Sequence, residues 1–298
     1  METFFQQAVH TITLAGVYGL FAAGFVLIFG VLDVLNLAYA FVFMLTANIA
    51  VWGMIQGWPI WLAGLAALGA GIVLGAVTDQ VAYRPLQRAS ALAGGGINFG
   101  PLVSTLAVAG ILEAIAVHWF GARNQSVPNG VFPTTTFSIG GVQITLLQIV
   151  VVLSAGAILY ALHQTLRRTV AGRSIRAVAE NRRMATLLGI NTNVTIAGVW
   201  VLSSALAAVA GVFIALVTSA VSTTMGTTYE LKGFIVVVLG GMGSVSGAIV
   251  AALLLATLET VGVLWLGGQY RDILPLIAIV LILLLRPNGL FGARTRTV

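Results

Sequence analysis

From Thr11 almost to its end the chain keeps returning to apolar runs of about 20 residues, the length an α-helix needs to cross a hydrocarbon layer of ~30 Å. No water is available inside such a layer, so each run must satisfy its own backbone by coiling into a helix. With 59% hydrophobic and only 7% charged residues, the polar surface is too small to enclose these runs in a water-soluble core. The expected fold is all-α, a polytopic transmembrane helix bundle built as one domain from residues 1–298. Candidate spans lie near residues 11–30, 38–55, 58–77, 100–120, 142–162, 193–219, 244–264 and 272–286, about eight in all. Between the sixth and seventh, "YELKGFIVVVLGGMGSVSG" has an apolar part too short to cross alone and is bounded by Gly240, Gly241 and Gly243. It reads either as a re-entrant or broken helix lining a path or as a close glycine packing contact. The opening "METFFQQAVH" has no basic region, and no cleavage site stands clear of further spans, so the first run is expected to remain as a helix.

The basic residues are distributed unevenly. Of the fourteen, all but Arg123, Lys232 and Arg271 fall in three segments, after the third span, between Arg167 and Arg183, and after the last span. The excess of positive charge that marks cytoplasmic loops places those segments, and the C-terminus, in the cytoplasm. The N-terminus, Arg123, Lys232, Arg271 and the turn-rich loop around Pro128, Asn129 and Gly130 are then external.

The densest charge is in "GRSIRAVAENRRMATLLGIN", residues 172–191. Arg176, Glu180 and Arg183 are spaced to share one face of a helix over about 173–189, so Glu180 can pair with either arginine. Ile175, Val178 and Ala179 fall on another side, Met184, Leu187 and Leu188 add apolar surface, and Gly189 suits the left-handed position that ends a helix. The result is a short amphipathic helix parallel to the membrane surface. It is either an interfacial helix whose arginines meet anionic headgroups or a docking knob for a soluble partner.

Several motifs carry a resemblance. The 172–191 stretch, "VVVLGGMGSVSGAIVAALLLATLE" at 236–259, "YRPLQ" at 83–87 and "LLRPNGLFG" at 284–292 together resemble the permease subunits of branched-chain amino acid ABC importers, the LivH-type family. The resemblance implies a transmembrane permease domain in a bacterial cytoplasmic membrane that carries branched-chain or related amino acids. Family relatives also move urea, short amides and aromatic or aliphatic carboxylates. It further implies two separate ABC ATPase subunits that bind ATP-Mg, a second permease that is related or identical, a periplasmic substrate-binding protein and surrounding lipid. Arg173, Arg176, Glu180, Asn181, Arg182, Arg183 and Gly189 would belong to the helix that docks into the ATPase. Asn36, Ser104 and Thr105 align with family elements and, with Tyr39, Glu113, Gly241, Gly243, Ser244 and Ser246, form the expected substrate path. Ser104 and Thr105 also suit hydrogen bonding between helices, and Glu113, His118 and Glu259 suit structural pairing. Where the family commonly has Ala-His-Gly-Glu, this chain has Ala38, Tyr39, Ala40 and Phe41, which favours a less polar ligand if these side chains line the path.

Other function classes find little support. No phosphate-binding glycine loop with lysine occurs, so nucleotide chemistry and an enzymatic role are not expected of this chain. No cofactor or metal is expected either, since cysteine is absent and His10, His118 and His163 lie in separate helices without ligand spacing. The arginines lack aromatic stacking platforms for nucleic acid. An ATP-independent carrier or channel would require converging ionisable groups at mid-membrane, where the sequence offers mainly Glu113. A scaffold that moves nothing is a third alternative, and only the permease and not the carrier or scaffold should copurify with ATPases.

Overall fold

The computed structural model describes residues 2–86, 100–128, 130–133, 135–139, 142–241, 243–268 and 273–285. Its long helices are α1 (Glu2–Leu32), α2 (Ala38–Ile55), α3 (Ile60–Thr78), α4 (Gly100–Phe120), α5 (Leu146–Arg168), α8 (Thr192–Thr218) and α10 (Val245–Leu266). Shorter helices α6 (Val170–Glu180) and α7 (Arg182–Leu187) sit between α5 and α8, while α9 (Met225–Gly240) and α11 (Ile273–Leu285) flank α10. A π-helical turn, Asp79–Tyr83, continues α3, and among the described residues seven helices are long and apolar enough to cross a membrane, the third running Ile60–Leu86. The eighth expected span corresponds to α11, of which thirteen residues are described. The signatures at residues 87 and 286–292, and the arginines beyond them, lie outside the described residues.

Small residues decide which helices lie at the centre. α1 packs against α5, α8, α9 and α10, and α8 packs in turn against α2 and α3. In its most apolar stretch α2 is 83% buried, whereas α5 is 17% buried and presents most of its surface outward. In lipid, where apolar association gains nothing from expelling water, such packing depends on close backbone approach. Gly211 of α8 provides it, since a Cβ there would sit 2.6 Å from the Phe43 carbonyl oxygen of α2. Gly75 of α3 does the same against Ser204 of α8, 2.6 Å from its Cβ.

Two breaks in helical structure shape the second half. The sequence points to the break after α9, and there Gly241 (φ 90°) and Gly243 (φ 88°) take left-handed conformations before Ser244 caps α10 by accepting from the Gly247 N–H. A second break, at the end of α8, is not signalled by any glycine or proline. Ser219 turns left-handed (φ 54°), and the chain runs through strand β4 (Ala220–Val221) before α9 begins. β4 pairs antiparallel with β1 (Gln125–Ser126) from the loop after α4. Val127 N–H donates to the Ser219 carbonyl, and the Thr223 hydroxyl donates to the Gly121 carbonyl. The Asn48 amide, well inside α2, also reaches the Ser222 carbonyl. Extended backbone at the depth of a helical span is thus satisfied by a loop folded in from the end of the bundle. α9, about 24 Å long at 1.5 Å per residue, is therefore a half-length helix bounded by breaks on both sides.

A hairpin of β2 (Thr136–Ile139) and β3 (Val142–Thr145) closes the same end of the bundle, where Gln6 exchanges hydrogen bonds with the Gln143 backbone. The opposite end carries α6 and α7. The two ends are separated by the length of α1, whose first turns meet the hairpin and whose last turn meets Arg182.

Gly240 supplies a test of this packing, because a Cβ there would lie 2.6 Å and 2.7 Å from backbone atoms of Gly247 and Ala248, which cannot swing away. Gly240→Ala is expected to destabilise the bundle by about 1–3 kcal/mol, as overpacking does. Gly69→Ala on α3, where nothing lies within 4 Å, should be neutral or stabilising by up to ~1 kcal/mol. Melting temperatures of the purified variants in detergent distinguish the two, and equal melting points would overturn the packing account.

Candidate functional site

The arginine-rich stretch folds as two helices where one was expected. Thr169 caps α6 by accepting from the Gly172 N–H, and the helix ends at Glu180 because Asn181 is extended (φ −159°, ψ 106°). Asn181 then caps α7 with its side chain, accepting from the Met184 N–H. An asparagine that competes for backbone donors favours this local cap over continued helix. Arg183 thereby leaves the face shared by Arg176 and Glu180, and no ion pair of Glu180 occurs among the described residues. The expected glycine stop holds: Gly189 has φ +81°, its N–H donates to Thr186, and the Ile190 N–H donates to Ala185. Those two bonds are the Schellman pattern.

The pair forms a platform held from beneath. Gly172 lets α6 fold back on α5, for a Cβ would meet the carbonyl oxygens of Thr165 and Leu166, and the Arg176 guanidinium donates to that same Leu166 carbonyl. Ile175, Val178 and Ala185 are buried beneath the platform. Arg182 donates to the Val31 carbonyl at the end of α1 (3.2 Å) and to the Tyr83 hydroxyl (2.7 Å), with its charge 5.9 Å from the Tyr83 ring. Tyr83 in turn packs on Trp200 of α8. Beside it Arg84 pairs with the buried Asp79 at 2.7 Å and reaches the Asn193 carbonyl. The π turn thus presents Tyr83 to the platform and holds Arg84 through Asp79, a use the sequence motif alone did not reveal. On the outward side Arg173, Asn181 and Arg183 are exposed, as are Met184, Leu187 (75%) and Leu188 (76%). A cluster of bare leucines beside arginines is the composition of a protein contact.

Charges also gather inside the bundle. Lys232, expected in an external loop, lies instead within α9 and is 7% exposed, because the break at Ser219 draws that segment into the bundle. Its ammonium pairs with Glu259 of α10 at 2.8 Å. The Tyr18 hydroxyl of α1 donates to the same carboxylate (2.8 Å), and the ammonium also lies 5.4 Å and 5.3 Å from the Tyr18 and Tyr229 rings. Aromatic faces and a carboxylate together replace the water that a buried cation has lost. The available signal was modest: Lys232 is the chain's single lysine, and Glu259 interrupts an apolar run. A cavity of about 360 Å³ opens over this cluster at the hairpin end, lined by Gln6, Gln7, His10, Gln148, Glu259 and Thr260 among others.

Apart from Asn36 and Thr105, the expected path residues are dispersed. Tyr39 is 1% exposed, packed on Phe21 and Phe25, and donates its hydroxyl to the Phe21 carbonyl. Ser104 donates to the Ala82 carbonyl, tying α4 to the π turn, and the Thr105 hydroxyl, bonded to the Leu102 carbonyl, also meets the Leu35 carbonyl and the Leu37 N–H on either side of Asn36. Asn36 is buried, and its side-chain oxygen has no hydrogen-bond partner among the described residues. Glu113 is partly exposed at the edge of the packed face of α4, about 10 Å from the helix end, and has no hydrogen bond or ion pair among the described residues. Gly241, Gly243, Ser244 and Ser246 form the turn at the platform end, where Gly30 of α1 abuts Gly243.

A model of the family described as branched-chain amino acid transport system / permease component matches residues 7–283. The high-affinity branched-chain amino acid transport system permease protein BraD of Pseudomonas aeruginosa is 32% identical, over 97% of this chain and 96% of its own. LivH of Escherichia coli K12, with the same descriptive title, is 30% identical over the same shares. The autoinducer 2 import system permease protein LsrC of Klebsiella pneumoniae is 28% identical over 68% of this chain and 61% of its own. Among solved structures, PsaBC from Streptococcus pneumoniae in complex with Fab superposes with a TM-score of 0.52 at 13% identity, covering 97% of this chain and 94% of that one, a likeness of fold alone.

Removing one member of the buried pair strands the other. Lys232→Met is expected to cost about 3–5 kcal/mol, and the double variant Lys232→Met with Glu259→Gln to recover most of that loss. The measurement is thermal stability of single and double variants, and additive losses would refute the pairing.

Proposed function

This chain belongs to the branched-chain amino acid transport permease family, and on that premise we propose how it works as the membrane-spanning subunit of an ATP-binding-cassette importer for branched-chain or related amino acids. The observation that carries the reading is the platform of α6 and α7, pinned to the ends of α1, α5 and the π turn while it displays Arg173, Arg183, Met184, Leu187 and Leu188 outward. Two separate ATPase subunits grip these platforms from the cytoplasm, where ATP-Mg is bound and hydrolysed. Movement of α7 is transmitted by Arg182 to α1 and to Tyr83, and movement of α6 through the Gly172 contact to α5. The C-terminus lies on the same cytoplasmic side of the inner membrane, and a periplasmic binding protein delivers substrate to the hairpin end.

The path itself runs along the side of α4 that carries Glu113, between this subunit and a second permease. A partly exposed ionisable group well inside a span is expensive, and Glu113 has no partner among the described residues to offset the cost. Water in a path between two subunits supplies the solvation, and the carboxylate suits the ammonium group of an amino acid. The turn at Gly241, Gly243, Ser244 and Ser246 stands at the cytoplasmic end. Relatives named for branched-chain amino acids and for autoinducer 2 favour small polar solutes and leave the choice among them to the binding protein.

Reconstituted with its ATPases and binding protein, the wild type is expected to accumulate labelled leucine only when ATP is supplied. Leu187→Asp with Leu188→Asp alters only side chains three-quarters exposed, so the bundle should fold while copurified ATPase drops about tenfold or more, as when an interface anchor is lost. Undiminished copurification would remove the platform from the mechanism. Glu113→Leu should leave ATPase binding intact and slow uptake several-fold, and uptake at the wild-type rate would show that α4 faces lipid.

A further inference from the structure

A second cavity, about 340 Å³, lies at the platform end between α1, α5, α6 and the start of α10. Its lining is of mixed chemistry: Val26, Leu27, Val31, Leu166 and Ile175 supply apolar surface, and His163, Arg167, Arg176, Ser244 and Ser246 supply basic and polar groups. Among the described residues no acidic side chain lines it. His163 and Arg167 are one helical turn apart and share a face of α5, while Arg176 faces them from α6. Arg176 spends one donor on the Leu166 carbonyl, and Arg167 makes no ion pair among the described residues. The first turn of the 22-residue α10, whose free N–H groups favour anions, also lines the cavity through Val245 and Ser246.

We propose that this cavity binds the headgroup phosphate of an anionic glycerophospholipid from the leaflet on the platform side, with His163 and Arg167 as its contacts on α5. The mixed lining matches a molecule in which glycerol joins a phosphate to acyl chains: the phosphate meets the basic groups and the Ser244 turn, and the first methylenes meet Val26, Leu27 and Ile175. A free inorganic anion would use only half of the lining. Bound there, the lipid bridges α5 to α6, which otherwise meet at Gly172 and through Arg176, and links both to the turn before α10, which rests on α1 where Gly243 meets Gly30. It therefore braces the platform against the bundle, and anionic lipid becomes a requirement for transmitting platform movement.

The test uses the purified permease with its ATPases in nanodiscs containing phosphatidylglycerol and phosphatidylcholine in equal amounts, with retained lipid counted by native mass spectrometry. The wild type should retain phosphatidylglycerol preferentially. Arg167→Gln with His163→Gln should reduce that preference about fivefold or more, the scale expected when a surface cation is removed from an anionic headgroup. Arg167 is exposed and His163 only partly buried, so the melting temperature in lipid-free detergent should not change. Equal retention of the two lipids by the wild type, or unchanged preference in the double variant, would overturn the proposal. Displacement of the retained lipid by millimolar inorganic phosphate would overturn it too, by showing a site for a free anion.

Discussion

The inability of a hydrocarbon layer to solvate a backbone group or a charge governs the whole structure. Helices satisfy their own backbones, so the long spans follow at once from apolar composition. Wherever the chain departs from helix at depth, it must import partners. The break at Ser219–Thr224 obtains them from β1 and from Asn48, and the break at Gly241–Ser244 from left-handed glycines and a serine cap. Charges obey the same rule. Lys232 and Glu259 enter the bundle only as a pair, with two tyrosines taking the place of their lost water.

The two breaks make α9 a half-length helix held at both ends by non-helical chain, and the buried pair ties its middle to α10 and α1. One side of this assembly abuts the hairpin-end cavity, and its far turn abuts the platform-end cavity through Gly243. A single bonded unit thus connects the two faces of the membrane. The platform is joined to the bundle by the buried Ile175, Val178 and Ala185 and by directed bonds from Arg182 and Arg176 to carbonyls at the ends of α1 and α5. Packing beneath and directed bonds at the edges let a push on the outer face reach the spans.

Much of this was legible in residues. The spans, the glycine break before α10, the amphipathic arginine stretch and the stop at Gly189 are local matters of apolar length, conformational freedom and spacing, and the family motifs added the importer assignment. The split at Asn181 was legible in principle, since asparagine competes as a cap, but an unbroken helix satisfied the hydrophobic pattern equally well. The Ser219 break carried no turn residue to announce it, because its stability derives from β1, nearly a hundred residues earlier in the chain. For the same reason Lys232 resembled a loop residue until that break drew α9 inside.

Apolar run length, read from the sequence alone, determined that this chain spans a membrane many times, and charge placement set the expectation that most of its arginines share one side. Both are properties of short stretches interacting with solvent, and need no knowledge of neighbours. The tertiary structure decided which charges meet: Glu259 with Lys232, Arg182 with Tyr83 and Val31, and Glu113 with no described partner. Such pairings join residues far apart in the chain, and only helix packing, set by where glycine lets backbones touch, brings them within reach.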